Sequence, residues 1–133
     1  MRKLLMQASH IRKVYRQGQP DQHLALDNIS LQIYAGDFIT ILGPQGAGKT
    51  TLLRILALHD PPTSGDLYYE GRLVTGLTNA DLRPDILFLD EPTALPSTPP
   101  DQTVILATAD PEIAAHGSAI YRLTEGRLTR IGG

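Results

Sequence analysis

The run Gly43-Pro44-Gln45-Gly46-Ala47-Gly48-Lys49-Thr50 constrains this chain more than any other stretch of it. Its spacing is G-x-x-x-x-G-K-T, and its flanks suit it. Upstream, Phe38-Ile39-Thr40-Ile41-Leu42 is the short apolar, β-branched run of a buried parallel strand. Downstream, Thr51-Leu52-Leu53-Arg54-Ile55-Leu56-Ala57-Leu58 has the length and residue types of a packed helix. Between a strand and a helix, glycines let backbone N–H groups turn inward around a phosphate chain without Cβ clashes. The helix N-terminus adds positive potential. The stretch is thus predicted to be a P-loop that binds a nucleoside triphosphate. Lys49 reaches the β- and γ-phosphates, the Thr50 hydroxyl ligates Mg²⁺, and Gly43 to Gly48 with Thr51 complete the cradle. A glycine-rich turn without a ligand is the plain alternative, but every fixed position of the pattern is filled.

The 133 residues suffice for one domain with a real core. Net charge is −2, so no general attraction to nucleic acid or anionic membrane is expected. Cysteine is absent, which excludes disulfides and thiolate metal sites and suits a reducing compartment. No apolar run approaches the roughly 20 residues of a membrane span, so no direct membrane insertion is expected. The start, Met1-Arg2-Lys3-Leu4-Leu5-Met6, has the charge of a signal peptide, but its apolar run is too short for one. A cytoplasmic location is expected.

Residues 4–8 and 24–34 read as strands, the second bending near Asp27-Asn28, with a polar turn at 18–22 between them. Strand 38–42 and helix 49–58 follow, and Pro61-Pro62 stops the helix. Residues 66–74 read as a hairpin turning near Gly71, and 78–83 as one helical turn. The segment 92–100 is proline-rich and loop-like, and 104–107 is a further buried parallel strand. Asp110 caps a short helix with Pro111 at its first position and Gly117 beyond its end. Residues 119–123 and 127–131 pair across Glu125-Gly126 as a closing hairpin.

Ile86-Leu87-Phe88-Leu89-Asp90-Glu91 is an apolar strand ending in two adjacent carboxylates. A strand buried on both faces carries acids only at its exposed C-terminal end, where ligands bind in open α/β sheets. Beside a P-loop, Asp90 is expected to hold Mg²⁺, directly or through water. Glu91 is expected to orient and deprotonate the attacking water. A strand ending in merely solvated acids is the plainer alternative.

At this point the chain resembles the ATP-binding subunits of ABC transporters. Tyr15, the segment Leu26 to Ile33 with Gly36-Asp37, the P-loop with Thr51-Leu52-Leu53, Pro62-Thr63-Ser64-Gly65, and Leu87-Phe88-Leu89-Asp90-Glu91-Pro92-Thr93 follow in the family's order. The stretch from Val14 to Arg83 is most similar to the branch that powers lipoprotein release and macrolide export. The resemblance implies an α/β fold: a P-loop NTPase core with a mainly parallel sheet, plus an N-terminal antiparallel β subdomain. It implies ATP and Mg²⁺ as ligands and Tyr15 as the residue that stacks on adenine. It also implies membrane-spanning transporter subunits as partners.

Three departures stand against the family pattern. Arg83 is followed at once by Pro84-Asp85 and the acidic strand, so the glutamine loop, the helical subdomain and the Leu-Ser-Gly-Gly-Gln signature are absent. After Pro92-Thr93 the family places Ala-Leu-Asp and a helix, whereas this chain has Ala94-Leu95-Pro96-Ser97-Thr98-Pro99-Pro100. Thr108-Ala109-Asp110 aligns with the family's Thr-His-Asp, so Ala109 replaces the histidine that contacts the γ-phosphate. His10, His23, His59 and His116 read as surface or turn residues and do not substitute for it. The chain thus reads as a single nucleotide-binding core over residues 1–133, with deletions near 83/84 and within 93–102. Such clean junctions suit a minimised, engineered core, or else a decayed gene product.

An ATP·Mg²⁺-binding core with weak or absent hydrolysis is the expected function. A working P-loop NTPase of another class and a non-enzymatic domain with a relic P-loop are the alternatives. Thr78-Asn79-Ala80-Asp81 lacks the lysine of a guanine-reading Asn-Lys-x-Asp. The docking region for membrane subunits is expected to be missing with the helical subdomain. Apolar faces uncovered on the sheet or on helix 49–58 are expected to promote self-association.

Overall fold

The structure, a computed structural model, describes residues 2–74 and 85–133. Chain order is β1 (Leu4–Tyr15), β2 (His23–Tyr34), β3 (Phe38–Leu42), α1 (Lys49–Leu56), β4 (Ser64–Tyr69) and β5 (Arg72–Val74). Then come β6 (Leu87–Asp90), β7 (Val104–Thr108), α2 (Pro111–Ala114), β8 (Ala119–Thr124) and β9 (Arg127–Gly132). The helical turn expected at 78–83 and the 83/84 junction lie outside the described residues.

Two sheets divide these strands. One has the order β2-β1-β4-β5, with antiparallel pairing throughout. The other has the order β6-β7-β3-β8-β9, in which the first four strands are parallel and β9 closes antiparallel against β8. This is the α/β architecture expected, a parallel core beside an antiparallel subdomain.

β1 runs to Tyr15, well past the residues 4–8 expected of it. It pairs with β2 on one side and β4 on the other, and register shifts near His10 bend it. Those shifts break the apolar alternation that would have revealed its length. The extra residues matter, because they carry Tyr15 to the end of the sheet.

In α1, Leu52, Leu53, Ile55 and Leu56 are buried, each contributing about 1.5–3 kcal/mol of transfer free energy. The helix stops at Leu56, two residues short of the expected end. Leu58 adopts a left-handed backbone (φ 65°). Leu58 N donates to Ile55 O at 3.0 Å and His59 N donates to Arg54 O at 2.8 Å, which closes the helix as a Schellman turn. The chain then returns to β1. α2 starts as expected: Asp110 caps it by accepting from Glu112 N at 2.9 Å, with Pro111 at its first turn. Both hairpins turn where expected, with positive φ at Glu70-Gly71 and at Glu125-Gly126 as primed turns require.

All five residues of β7 are buried, while Leu87, Phe88 and Leu89 of β6 are only half-buried. The expectation that the acidic strand is covered on both faces is therefore corrected. Among the described residues β6 is the edge of its sheet, with β7 as its one neighbouring strand. The apolar face of α1, by contrast, is buried. The large exposed hydrophobic residues among those described, Leu24, Leu73, Leu95 and Ile131, are spread over separate segments.

Candidate nucleotide-binding site

Register aligns the chemistry. β7 lies between β3 and β6, pairing Leu42 with Thr108 and Asp90 with Ala107. Gly43, Glu91 and Ala109 therefore emerge side by side at the C-terminal edge of the parallel sheet, the edge at which such sheets bind ligands. Gly43 N donates to Thr108 O at 3.1 Å, and Glu91 N donates to Ala107 O at 2.8 Å.

The glycine loop leaves this edge and enters α1. Gly43 must be glycine, because a Cβ there would stand 2.4 Å from Leu123 O. Gly48, with φ of 105°, is the N-cap of α1 and offers no side chain to the first-turn amides. Those amides and the helix dipole are left to an anion. Lys49 is buried, its Nζ donating to Gly43 O and, at 3.2 Å, to Pro44 O. The same ammonium pairs with Glu91 Oε1 at 2.8 Å.

Glu91 takes a left-handed backbone (φ 50°), a conformation that costs a non-glycine residue on the order of 1 kcal/mol. From there its Oε2 accepts from Ala109 N at 3.1 Å. The Lys49 hydrogen bond is the main reason its carboxyl sits below the ordinary glutamate range; desolvation opposes the shift and the Ala109 amide assists it. Beside it, Thr50 Oγ1 donates to Asp90 Oδ2 at 2.6 Å. A hydroxyl and a carboxylate meeting at one point are hard oxygen donors, and they fit Mg²⁺ completed by water and phosphate oxygens.

These groups open into a cleft of about 670 Å³. The antiparallel sheet contributes Tyr15, His23 and Ala25 to it. Gln45, Gly46 and Gly48 to Thr51 come from the loop and α1, and Asp90, Glu91 and Ala109 from the ends of β6 and β7. Every expected site residue is thus at or beside the cleft. Gly43, Pro44 and Ala47 shape the loop without lining it. His23, read from sequence as a surface residue, does line it. It is the register partner of Tyr15, a pairing that only the sheet reveals. Tyr15 is tied to the phosphate side, its hydroxyl 3.1 Å from Thr51 Oγ1.

A second cleft of about 590 Å³ lies between the sheets. Among its charged groups Arg2 pairs with Asp37, and Arg130 donates to the carbonyls of Gly132 and Gly133.

Taken together, the strand–loop–helix, the hydroxyl–carboxylate pair and the adjacent glutamate define a P-loop nucleoside-triphosphate-binding core. The ABC transporter family matches residues 26–83. The lipoprotein-releasing system ATP-binding protein LolD of Bordetella avium is 44% identical over 75 residues, 56% of this chain and 32% of that protein. An uncharacterized ABC transporter ATP-binding protein of Methanocaldococcus jannaschii is 45% identical over 74 residues, 56% of this chain and 33% of that protein. The macrolide export ATP-binding/permease protein MacB of Syntrophobacter fumaroxidans is 45% identical over 74 residues, 56% of this chain and 10% of that protein. The matched stretch thus spans about a third or less of the curated relatives' length. In fold, the chain is similar to an ATP-binding cassette solved as a dimer with ADP and Pi. The TM-score is 0.75 at 18% identity, over 97% of this chain and 100% of that one. Over residues 26–83 the sequence is thus similar to the ABC transporter family, and the fold is similar to that of solved ATP-binding cassettes.

Proposed function

We propose that the chain binds ATP·Mg²⁺ in the 670 Å³ cleft and hydrolyses it slowly or not at all. The observation that carries this reading is the convergence of Lys49, Thr50, Asp90 and Glu91 on one edge, with Tyr15 lining the same cleft. Lys49 and the first amides of α1 take the β- and γ-phosphates, and Tyr15 offers its ring to adenine. Thr50 and Asp90 hold Mg²⁺, which when bound neutralises charge building on the phosphate oxygens. Glu91 is the base that orients water. The Ala109 side chain can neither donate to the γ-phosphate nor relay a proton, and Leu-Ser-Gly-Gly-Gln is absent from the sequence. Charge stabilisation at the transferred phosphoryl group is therefore depleted.

The chain reads as a minimised ATPase core, most simply an engineered one, with deletions near 83/84 and within 93–102. The family resemblance supports a cytoplasmic location and implies transporter subunits and a second ATP-binding domain as partners. Loss of the helical subdomain argues against productive docking to the former. Thermal-shift titration with ATP·Mg²⁺, with ADP and GTP as competitors, tests the reading. Stabilisation by ATP and ADP supports it. No shift with any nucleotide points instead to a scaffold with a relic P-loop.

A further inference from the structure

The segment that follows α1 grips the end of β1. Thr63 N donates to Arg12 O at 2.8 Å, and Val14 N donates to Thr63 Oγ1 at 2.9 Å. Lys13 lies inside this grip. Its Nζ donates to Pro61 O at 2.8 Å, lies 3.7 Å from Asp60 Oδ2, and stands 5.2 Å from the centroid of the Tyr15 ring. Its side chain is only 12% exposed. An ammonium is strongly hydrated, and one so far withdrawn from water needs fixed partners. Here these are a carbonyl, a carboxylate and an aromatic face.

Tyr15 lines the nucleotide cleft and Lys13 does not. The ammonium thus contacts the ring without itself lining the cleft. The hydroxyl lies 3.1 Å from Thr51 Oγ1 on α1 and donates to Asp60 Oδ2 at 3.5 Å, the oxygen that Lys13 also approaches. A ring held only at its hydroxyl can still swing about its side-chain torsions. A cation anchored over the ring limits that freedom before any ligand arrives.

We propose that Lys13 is a positioning residue for base stacking, holding the Tyr15 ring so that its free side meets the base of a bound nucleotide. The proposal rests on the reading of Tyr15 as the base platform. Preorganising the platform lowers the ordering cost of stacking, so Lys13 acts on the base and not on the phosphates. Asp60 and Pro61 serve Lys13, which makes the turn after the P-loop helix part of the base pocket.

Calorimetric binding of ATP and of inorganic tripolyphosphate, both with Mg²⁺, tests this in the wild-type chain and in Lys13→Met, Lys13→Arg and Tyr15→Ala. Tripolyphosphate reports the P-loop alone and shows that each variant is folded. Lys13→Met is expected to weaken ATP roughly three- to tenfold, to leave tripolyphosphate within about twofold, and to be largely rescued by Lys13→Arg. Equal loss of both ligands in Lys13→Met overturns the proposal, since Lys13 would then serve the fold. Unchanged ATP affinity in Lys13→Met beside a loss in Tyr15→Ala also overturns it, while leaving the platform reading intact. Unchanged ATP affinity in Tyr15→Ala removes the platform reading itself, and Lys13's role with it.

Discussion

The ammonium of Lys49 and the carboxylate of Glu91 form an ion pair 2.8 Å apart across the phosphate end of the cleft. In the proposed binding mode Lys49 reaches the γ-phosphate, and here the Glu91 carboxylate already engages it. Binding a triphosphate exchanges one anion for another on the same ammonium. It also brings the γ-phosphate toward the charge of Glu91.

Glu91→Gln is therefore expected to tighten ATP·Mg²⁺ binding about two- to tenfold, with a smaller gain for ADP, which lacks the γ-phosphate. Calorimetry on the two proteins side by side gives the ratio. Weaker ATP binding in Glu91→Gln would mean that Glu91 holds Lys49 in place for the nucleotide and does not compete with it.

The same pair sets a pH dependence. The Glu91 carboxyl is held below its ordinary range, mainly by the Lys49 hydrogen bond. The stability it adds is thus fully present above the ordinary glutamate pKa. It is lost as pH falls through the lower folded value. Because Glu91 is 48% exposed, the contribution is small, and the difference in Tm between wild type and Glu91→Gln should not exceed about 5 °C. Thermal melts of both proteins from neutral pH downward should show that difference shrinking once pH enters the glutamate range. A gap that widens in acid contradicts the assignment.

Tyr15→Ala is expected to weaken ATP and GTP together. Stacking on an aromatic face is worth on the order of 1–3 kcal/mol per base and reads no hydrogen-bond pattern. Competition between the two nucleotides measures this directly. A loss confined to ATP would reveal a base-specific pocket, for which His23 is the nearest candidate in the cleft.

Much of this site was legible from the chain alone, because its parts are local. A P-loop is eight consecutive residues, and Asp90-Glu91 closes a single apolar run. What could not be read was set by sheet pairing. The bends in β1 hid the path that brings Tyr15 to the cleft, and only the register of β1 with β2 places His23 beside it. The half-buried state of β6 follows from its place at the sheet's edge, which no periodicity in four residues records. The Lys49–Glu91 pair depends likewise on β7 lying between β3 and β6, together with the left-handed turn at Glu91.

Hydrolysis is expected to be far below the roughly 1–100 s⁻¹ of efficient phosphoryl-transfer enzymes such as kinases. Any residual rate should vanish in Glu91→Gln. Ala109→His should recover little, because groups that act as a unit are not additive and the signature would still be missing. Phosphate release that is fast, linear in protein and abolished by Glu91→Gln would show the shortened core to be a sufficient ATPase.

A calorimetric titration of ATP·Mg²⁺ into wild type and Lys49→Ala tests the proposed phosphate site most directly. Wild type is expected to bind ATP and ADP with one site per chain. In Lys49→Ala the affinity for ATP should fall at least tenfold, as loss of a charged hydrogen-bonding partner worth about 1.5–3 kcal/mol requires. Equal affinity in the two proteins would contradict the assignment of the glycine loop as the nucleotide site.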